Sequence, residues 1–313
     1  MKVAYFDSVF TRDIQENYSE YSREAIENSA MSQIFEVRNS SEYTRNVTST
    51  ESIKRPSWLA ESQEPPSVRL EKGYKATFVA RRFGEKIVIS EDARTKAGDS
   101  MENLAEHINE EMSAAVAGTY DFMEEEAHRI LNNSTNTTFY ASPDGQALIS
   151  ANHVWNSTGL TWSNLQASAP LSAATVDAAM AYGGAFTDAE GKPMPINFTH
   201  IVVKKGGAAS RAAKKLFGIN TSNQFMATTI GGVNIYFGEL TIVETPYLDN
   251  GNEYFFMDLS GKFGNPLMFD IIKAPTAGEL IAESNGDYVY PYSAYVNIGI
   301  QKLPFTILRN AGV

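Results

Sequence analysis

The pattern of apolar and polar residues predicts one long helix in the first half of the chain. Between residues 100 and 131, apolar residues recur at three- and four-residue spacing, which is typical of a helix with one apolar face. At 1.5 Å per residue, such a helix is roughly 48 Å long. Its apolar positions are Met101, Leu104, Ile108, Met112, Ala115, Val116, Tyr120, Met123, Ala127, Ile130 and Leu131.

The region before this helix has the pattern of extended chain from residue 31 onwards. Residues 42–52 and 69–89 are rich in β-forming side chains, so each flank predicts a strand. The segment that joins them is polar and contains three prolines, which argues against a packed strand. We therefore predict a long projecting hairpin, whose centre carries the large apolar residues Trp58 and Leu59.

The first thirty residues predict one helix, at residues 11–27, with a narrow apolar stripe that includes Ile14, Tyr18 and Tyr21. A stripe of this width suits docking on a surface better than filling a core. An isolated two-stranded hairpin is also only marginally stable in water. We therefore expect that the leader and the hairpin both find their apolar partners on neighbouring molecules.

Short strands and short helices are predicted after the long helix. Pro143-Asp-Gly145 predicts a turn before a strand at residues 148–154. Ser172 is the expected N-cap of a helix that Gly183-Gly184 ends. The other predicted elements are a strand at 200–203, a helix at 208–217, strands at 228–237, 240–244, 253–259, 267–272 and 288–300, and hairpin turns at Asn250-Gly251 and Asn285-Gly286.

Composition narrows the classes of protein that fit this pattern. The 313 residues include no cysteine, so disulfides and thiolate chemistry are excluded, and the chain suits a reducing cytoplasm. No apolar run is long enough to predict a membrane span. The net charge of −11 makes tight, general binding of nucleic acid improbable, because such binding needs clustered basic residues.

The order of these parts resembles the major capsid proteins of tailed bacteriophages that have the Hong Kong 97-type fold, in particular the Mu-like prophage major head subunit. Phe83-Gly-Glu-Lys-Ile-Val-Ile-Ser-Glu-Asp-Ala93 is similar to the returning strand of that family's long hairpin, the E-loop. Asp144-Gly-Gln-Ala-Leu-Ile-Ser-Ala-Asn-His153 and Asp188-Ala-Glu-Gly-Lys-Pro193 resemble two further family motifs. Ile149 departs from the pattern, since phenylalanine is common there. The order of parts covers nearly the whole chain, and the motifs cover a smaller share.

The resemblance implies an α+β fold with five parts. These are an N-terminal arm (1–41), the E-loop hairpin (42–90), a peripheral domain (91–170) with a spine helix at 100–131, an axial α/β domain (171–287), and C-terminal strands that return to the peripheral domain (288–313). It also implies a structural protein without cofactors, which assembles in the bacterial host cytoplasm and resides in the virion.

Partners follow from the same resemblance. Copies of the chain would form pentamers and hexamers of an icosahedral shell around double-stranded DNA, and would meet portal, scaffold or decoration proteins. No membrane is implied. The expected inter-subunit contacts are Ile14, Tyr18, Tyr21, Lys54, Arg55, Trp58, Leu59 and Arg69.

One basic cluster and one possible catalytic group leave alternatives open. Lys204, Lys205, Arg211, Lys214 and Lys215 form either a patch that faces DNA or a neighbour, or an exposed helix face, which we favour. His153 and Asp144, with Ser150, permit a hydrolase as an alternative function, although three members of a triad within ten residues rarely reach the required geometry. A tail component or a capsid decoration protein is a further alternative. No pattern predicts a metal site.

Overall fold

A computed structural model of the protein describes residues 29–49, 51, 58–59, 64, 73–91, 101–218, 229–230, 233–277 and 281–313. Only the backbone is described at residues 89, 101–113, 116, 229–230, 233, 276–277, 282 and 288. The helix predicted at residues 11–27 lies outside the described part of the chain.

The described chain is a mixture of helices and strands. The helices are α1 (Ala30–Ile34), α2 (Met101–Asn132), α3 (Ala173–Ala185) and α4 (Ala208–Phe217). The strands are β1 (Glu36–Asn39), β2 (Thr44–Thr48), β3 (Lys75–Val79), β4 (Arg81–Ile89), β5 (His153–Val154), β6 (Thr161–Trp162), β7 (His200–Lys204), β8 (Thr229–Ile230), β9 (Val233–Asn234), β10 (Thr241–Thr245), β11 (Tyr254–Met257), β12 (Leu267–Ala277), β13 (Ile281–Ala282), β14 (Tyr288–Ile300) and β15 (Ile307–Asn310).

The described residues form two compact units. The first contains the described residues of Met1–Arg45, Phe78–Ala127 and Phe269–Ile298, and the second contains those of Asn46–Thr77, His128–Met268 and Gly299–Val313. The α+β composition and the long helix predicted from the sequence are therefore present. The five named parts of the chain remain a prediction.

The first unit is built on a five-stranded sheet, in which β14 is flanked by β12, β13 and β4, and β1 pairs with β12. Alternate side chains of β14 are buried, including Tyr292, Ala294 and Val296. Gly84 lies opposite Ser293 in the β4–β14 pair, and a Cβ atom there would be 2.2 Å from the Tyr292 carbonyl oxygen. The two strands therefore approach closely at a position where only glycine fits.

The long helix α2 matches the sequence prediction to within one residue at each end. Its buried side chains in the C-terminal half follow the predicted apolar face, and they are Tyr120, Met123, Ala127, Ile130 and Leu131. Because this face repeats every three or four residues, the sequence identifies it without knowledge of what packs against it.

The second unit contains a four-stranded sheet in the order β10-β7-β11-β15. Strand β10 runs parallel to β7, whereas β11 is antiparallel to both β7 and β15. An aromatic cluster forms the centre of this unit, with ring contacts among Trp155, Trp162, Phe186 and Phe305. Helix α4 packs against β7 and β10. Helix α3 begins at Ser172, whose side chain and that of Thr175 form a reciprocal capping box.

Several local predictions were wrong. Residues 148–152 do not form a strand, because the Asn164 side chain bonds the Leu148 carbonyl (2.9 Å) and the Ser150 N–H (2.9 Å). Gly183 does not end helix α3, which continues to Ala185. Gly183 instead allows a close approach, since a Cβ atom there would be 2.5 Å from the Ile196 carbonyl oxygen.

Other differences concern the length and the presence of elements. Residues 228–237 were predicted as one strand, but the described part of this segment contains only the two-residue strands β8 and β9, followed by a turn. Helix α1 was missed within a segment predicted to be extended. Strand β15 was also missed, and it pairs with β11 in the second unit.

Candidate functional site

The flanks of the predicted hairpin are paired in the structure. Strands β2 and β3 form a two-stranded sheet, and the Ser49 N–H donates to the Tyr74 carbonyl oxygen (2.9 Å) at its end. The returning flank was predicted as one strand to Ile89, but it divides at the buried residue Ala80. Strand β3 stays with β2, and β4 pairs with β14.

Two large apolar side chains are exposed in the segment that this ribbon carries. Trp58 is 102 % exposed and Leu59 is 43 % exposed. A tryptophan side chain buries about 150–250 Å² when it is covered, so Trp58 leaves a large apolar surface in water. The other predicted contacts, Ile14, Tyr18, Tyr21, Lys54, Arg55 and Arg69, lie outside the described residues.

The base of the ribbon formed by β2 and β3, where Glu51 and Tyr74 lie, belongs to the second unit. Tyr74 packs against the hydrophobic core of this unit, and burial, followed by the charges of Asp144 and Glu51, raises the pKa of its hydroxyl. Glu51 is itself buried. The sequence around Glu51 indicates no role for it, because a glutamate in a polar stretch carries no signal that distinguishes a buried side chain from a solvated one.

The end of the leader is held in the first unit by helix α1. Met31, Ile34 and Phe35 are almost fully buried. The Met31 N–H donates to both carboxylate oxygens of Glu124 (3.1 Å each), which places an anionic group at the helix N-terminus. Burial raises the pKa of Glu124, against the lowering effect of its hydrogen bonds to this segment. The only local signal was Ser29, the N-cap of α1.

His153 and Asp144 form a buried pair in the second unit. The His153 Nδ1 lies 2.8 Å from Asp144 Oδ2, and both side chains are inaccessible to solvent. The imidazole ring stacks on Trp162 with a centroid separation of 4.3 Å. Burial alone raises the pKa of Asp144, but its hydrogen bonds and the charge of His153 lower it below its ordinary value.

This pair lacks the geometry of a hydrolase. The second ring nitrogen, Nε2, faces the Leu148 carbonyl oxygen at 3.3 Å, whereas a catalytic base would face a nucleophile. The Ser150 hydroxyl accepts a hydrogen bond from the Asn152 N–H. The pair therefore ties the turn at Asp144 to strand β5.

Three members of the basic cluster are tied to oxygen atoms of their own unit. Lys204 Nζ donates to the Asp249 carbonyl (2.9 Å), and Arg211 Nη1 donates to the Gly206 carbonyl (2.7 Å). Lys214 forms an ion pair with Glu244 (2.8 Å), and this hydrogen bond is the largest cause of the lowered pKa of Glu244. The remaining members, Lys205 and Lys215, are exposed.

The described residues show neither a metal site nor a membrane span. Among them, no group of three or more histidine, aspartate or glutamate side chains is arranged to hold a metal ion. None of the described helices combines the length and the apolar character needed to cross a membrane.

Comparison with known proteins identifies the family. The family model for phage capsid protein matches residues 74–300. A search of curated protein sequences found no significant match.

Solved structures show the same fold at low sequence identity. A structure from Mycobacterium phage Patience is 14 % identical, with a TM-score of 0.53 over 98 % of this chain and 88 % of that one. The capsid asymmetric unit of Cyanophage Pam1 is 11 % identical, with a TM-score of 0.53 over 91 % and 93 % of the two chains. A structure from Microbacterium phage Oxtober96 is 11 % identical, with a TM-score of 0.50 over 91 % of each chain.

Proposed function

The chain belongs to the phage capsid protein family, and from that membership we propose how this major capsid protein builds its icosahedral shell. The family and the fold imply a structural rather than an enzymatic protein. Its copies form pentamers and hexamers that tile a closed shell around the double-stranded DNA of a tailed phage or prophage. Closed symmetry of this kind needs more than one type of contact from a single chain.

We assign the parts of the chain to the parts of the Hong Kong 97-type fold. Residues 42–90 form the E-loop, and α2 is the spine helix of the peripheral domain at 91–170. The axial domain at 171–287 contains the β10-β7-β11 part of the four-stranded sheet. In the C-terminal part, 288–313, β14 would return to the peripheral domain, and β15 would complete the axial sheet through its pairing with β11.

The observation that carries the proposal is the exposure of Trp58 beside Leu59, in the segment between the paired strands β2 and β3. Covering one tryptophan removes about 150–250 Å² from water, which is worth on the order of 4–6 kcal/mol before ordering costs. A neighbouring subunit that covers this pair gains a central apolar contact. Lys54, Arg55 and Arg69 would lie around it as a polar rim.

The arm at residues 1–41 supplies a second proposed contact. Its described end is fixed by α1 and Glu124, so the preceding residues start from a defined place on the first unit. Ile14, Tyr18 and Tyr21 would then dock on an adjacent copy. The arm contact and the E-loop contact would together bury apolar surface between neighbouring subunits.

Contacts with DNA and with other capsid components are also proposed, and fewer residues of this chain support them. Two exposed members of the basic cluster, Lys205 and Lys215, would make non-specific contact with packaged DNA, whereas Lys204, Arg211 and Lys214 bind oxygen atoms of their own unit. Portal, scaffold or decoration proteins would bind the assembled shell. Assembly would take place in the bacterial cytoplasm.

Electron microscopy of the purified full-length protein tests the proposal. Negative staining is expected to show closed shells, when the protein is produced together with the neighbouring structural genes of its phage or prophage. Tubes would indicate a tail component instead, and dispersed particles that only bind preformed shells would indicate a decoration protein. Turnover in a broad ester and peptide screen, lost in His153→Ala, would support the hydrolase alternative.

A further inference from the structure

Glu51 is a buried carboxylate of the second unit, and it lies shortly after the end of strand β2. It is 4 % exposed. Its Oε1 accepts a hydrogen bond from the Asn156 N–H (3.1 Å), and its Oε2 accepts one from the Ser157 N–H (2.9 Å). A buried charge is stable only when it is well bonded, and bonds from N–H groups to a carboxylate are among the stronger ones. Within the described part of the chain, no ion pair involves Glu51.

The two N–H donors belong to a turn with little freedom to move. This turn joins β5 to β6, and it is closed by hydrogen bonds from the Gly159 N–H to the Trp155 carbonyl (2.7 Å) and from the Trp155 N–H to the Leu160 carbonyl (2.9 Å). Trp155 is 2 % exposed and packs on Trp162. The carboxylate of Glu51 is therefore bound to a turn that its own hydrogen bonds and the packing of Trp155 hold in place.

The returning chain, at Gly73 and Tyr74, contacts the outgoing chain at Ser49 and Glu51. A Cβ atom on Gly73 would lie 2.4 Å from the Ser49 carbonyl oxygen and 3.1 Å from Glu51 Cγ, so the two chains touch where the hairpin begins. The Ser49 hydroxyl also donates to the Tyr74 carbonyl (3.2 Å). On the other side, the Ala189 N–H donates to the Glu51 carbonyl (3.4 Å).

We propose that Glu51 is a positioning residue for assembly, which fixes the place from which the chain runs towards Trp58 and Leu59. The inference rests on the proposed function, since this place matters only if Trp58 and Leu59 reach a neighbouring copy. Glu51 does not itself touch the neighbour. It acts by holding the outgoing chain to the β5–β6 turn, so that Trp58 and Leu59 are presented at a constant place and lose less freedom when a neighbour covers them.

The first test is hydrogen exchange in Glu51→Gln. The amide keeps the shape of the side chain, but its NH₂ group cannot accept a hydrogen bond, so one of the two backbone N–H groups loses its acceptor. Exchange at Asn156 and Ser157 is expected to accelerate by about tenfold or more. The matched control is Glu239→Gln, an exposed glutamate of the second unit that takes no part in these contacts, and exchange at Asn156 and Ser157 should remain as in the native protein.

The second test measures the position of the hairpin. Because the chain has no cysteine, Glu64→Cys with Ala178→Cys, both at exposed positions, allows two spin labels to be placed without background. In full-length subunits, Glu51→Gln is expected to shift or broaden the distance distribution between the labels, whereas Glu239→Gln leaves it unchanged. An unchanged distribution in Glu51→Gln overturns the inference.

Shell formation by the same variants separates this inference from the function on which it rests. Altered distances together with fewer or malformed shells support both. Altered distances with normal shells leave Glu51 as a positioning residue, but they refute the assembly role of the hairpin. If Glu51→Gln fails to fold, Gly73→Ala tests the same root, with Gly184→Ala as control because a Cβ atom there meets nothing within 4 Å. Folded Gly73→Ala with native distances would overturn the inference.

Discussion

Replacing Trp58 and Leu59 by serine should weaken the shell and leave the subunit intact. Trp58 is fully exposed, so the folded subunit has no burial of this ring to lose. We expect its free energy of unfolding to change by no more than about 0.5 kcal/mol, as for other surface substitutions. In the shell, the loss of a covered tryptophan costs about 2–4 kcal/mol for each contact. Subunits of the double variant should therefore melt normally, while shells form poorly or melt earlier.

Tryptophan fluorescence provides a direct assay. Of the three tryptophans, Trp155 and Trp162 are buried and only Trp58 is exposed, so quenching by acrylamide in free subunits comes mainly from Trp58. Quenching should fall on assembly of the native protein, because a neighbour covers this ring. Leu160→Ser is the matched control, since Leu160 is 55 % exposed and lies outside the predicted contacts. Equal quenching of Trp58 in subunits and shells would show that no neighbour covers this ring. Shells of the double variant that match native shells in yield and melting temperature would show the same.

Three further predictions concern the stability of the subunit. The pKa of Asp144 is below its ordinary value of 3.8, so its contribution to the free energy of unfolding is complete above that value and is lost as the pH falls through the lower folded pKa. The difference in melting temperature between the native protein and Asp144→Asn should therefore shrink below about pH 4. A difference that stays constant with pH would contradict this. Asp270 is fully buried and lies 2.7 Å from Arg45 Nη1, so Arg45→Ala leaves this carboxylate without its cation. The variant should lose about 3–5 kcal/mol of unfolding free energy, measured in urea. A loss below about 1 kcal/mol would be evidence against this prediction. Gly118→Ala in α2, where a Cβ atom meets nothing within 4 Å, should stabilise the subunit by up to about 1 kcal/mol, and a lower melting temperature would refute this.

Elements with a strong local signal were predictable. Helix α2 was found to within one residue, because its apolar face repeats over its whole length. Helix α3 was placed by its N-cap, Ser172, and α4 was predicted as a short basic helix at residues 208–217, where the structure has it. The exposure of Trp58 also followed from the sequence, since its neighbours in the chain are prolines and polar residues that cannot cover it.

Elements that depend on distant side chains were not predictable. The strand expected at residues 148–154 is reduced to β5 by Asn164, which occupies backbone groups that a strand would have paired. Helix α1 is short, and its burial and the carboxylate of Glu124 stabilise it from 93 residues away. Short helices of this kind have little stability of their own, so their sequences carry only a weak signal.

Local patterns of the sequence therefore predict the long helix, the strands that flank the hairpin, and the exposure of Trp58 and Leu59, because periodicity, turn residues and a lack of apolar neighbours are local properties. The root of the hairpin is different. Glu51 meets the Asn156 and Ser157 N–H groups across 105 and 106 residues, and no feature near Glu51 predicts that meeting. Only folding brings the Glu51 carboxylate to these two N–H donors. Hydrogen bonds between remote parts of a chain depend on distance in space, which the spacing of residues in the sequence does not encode.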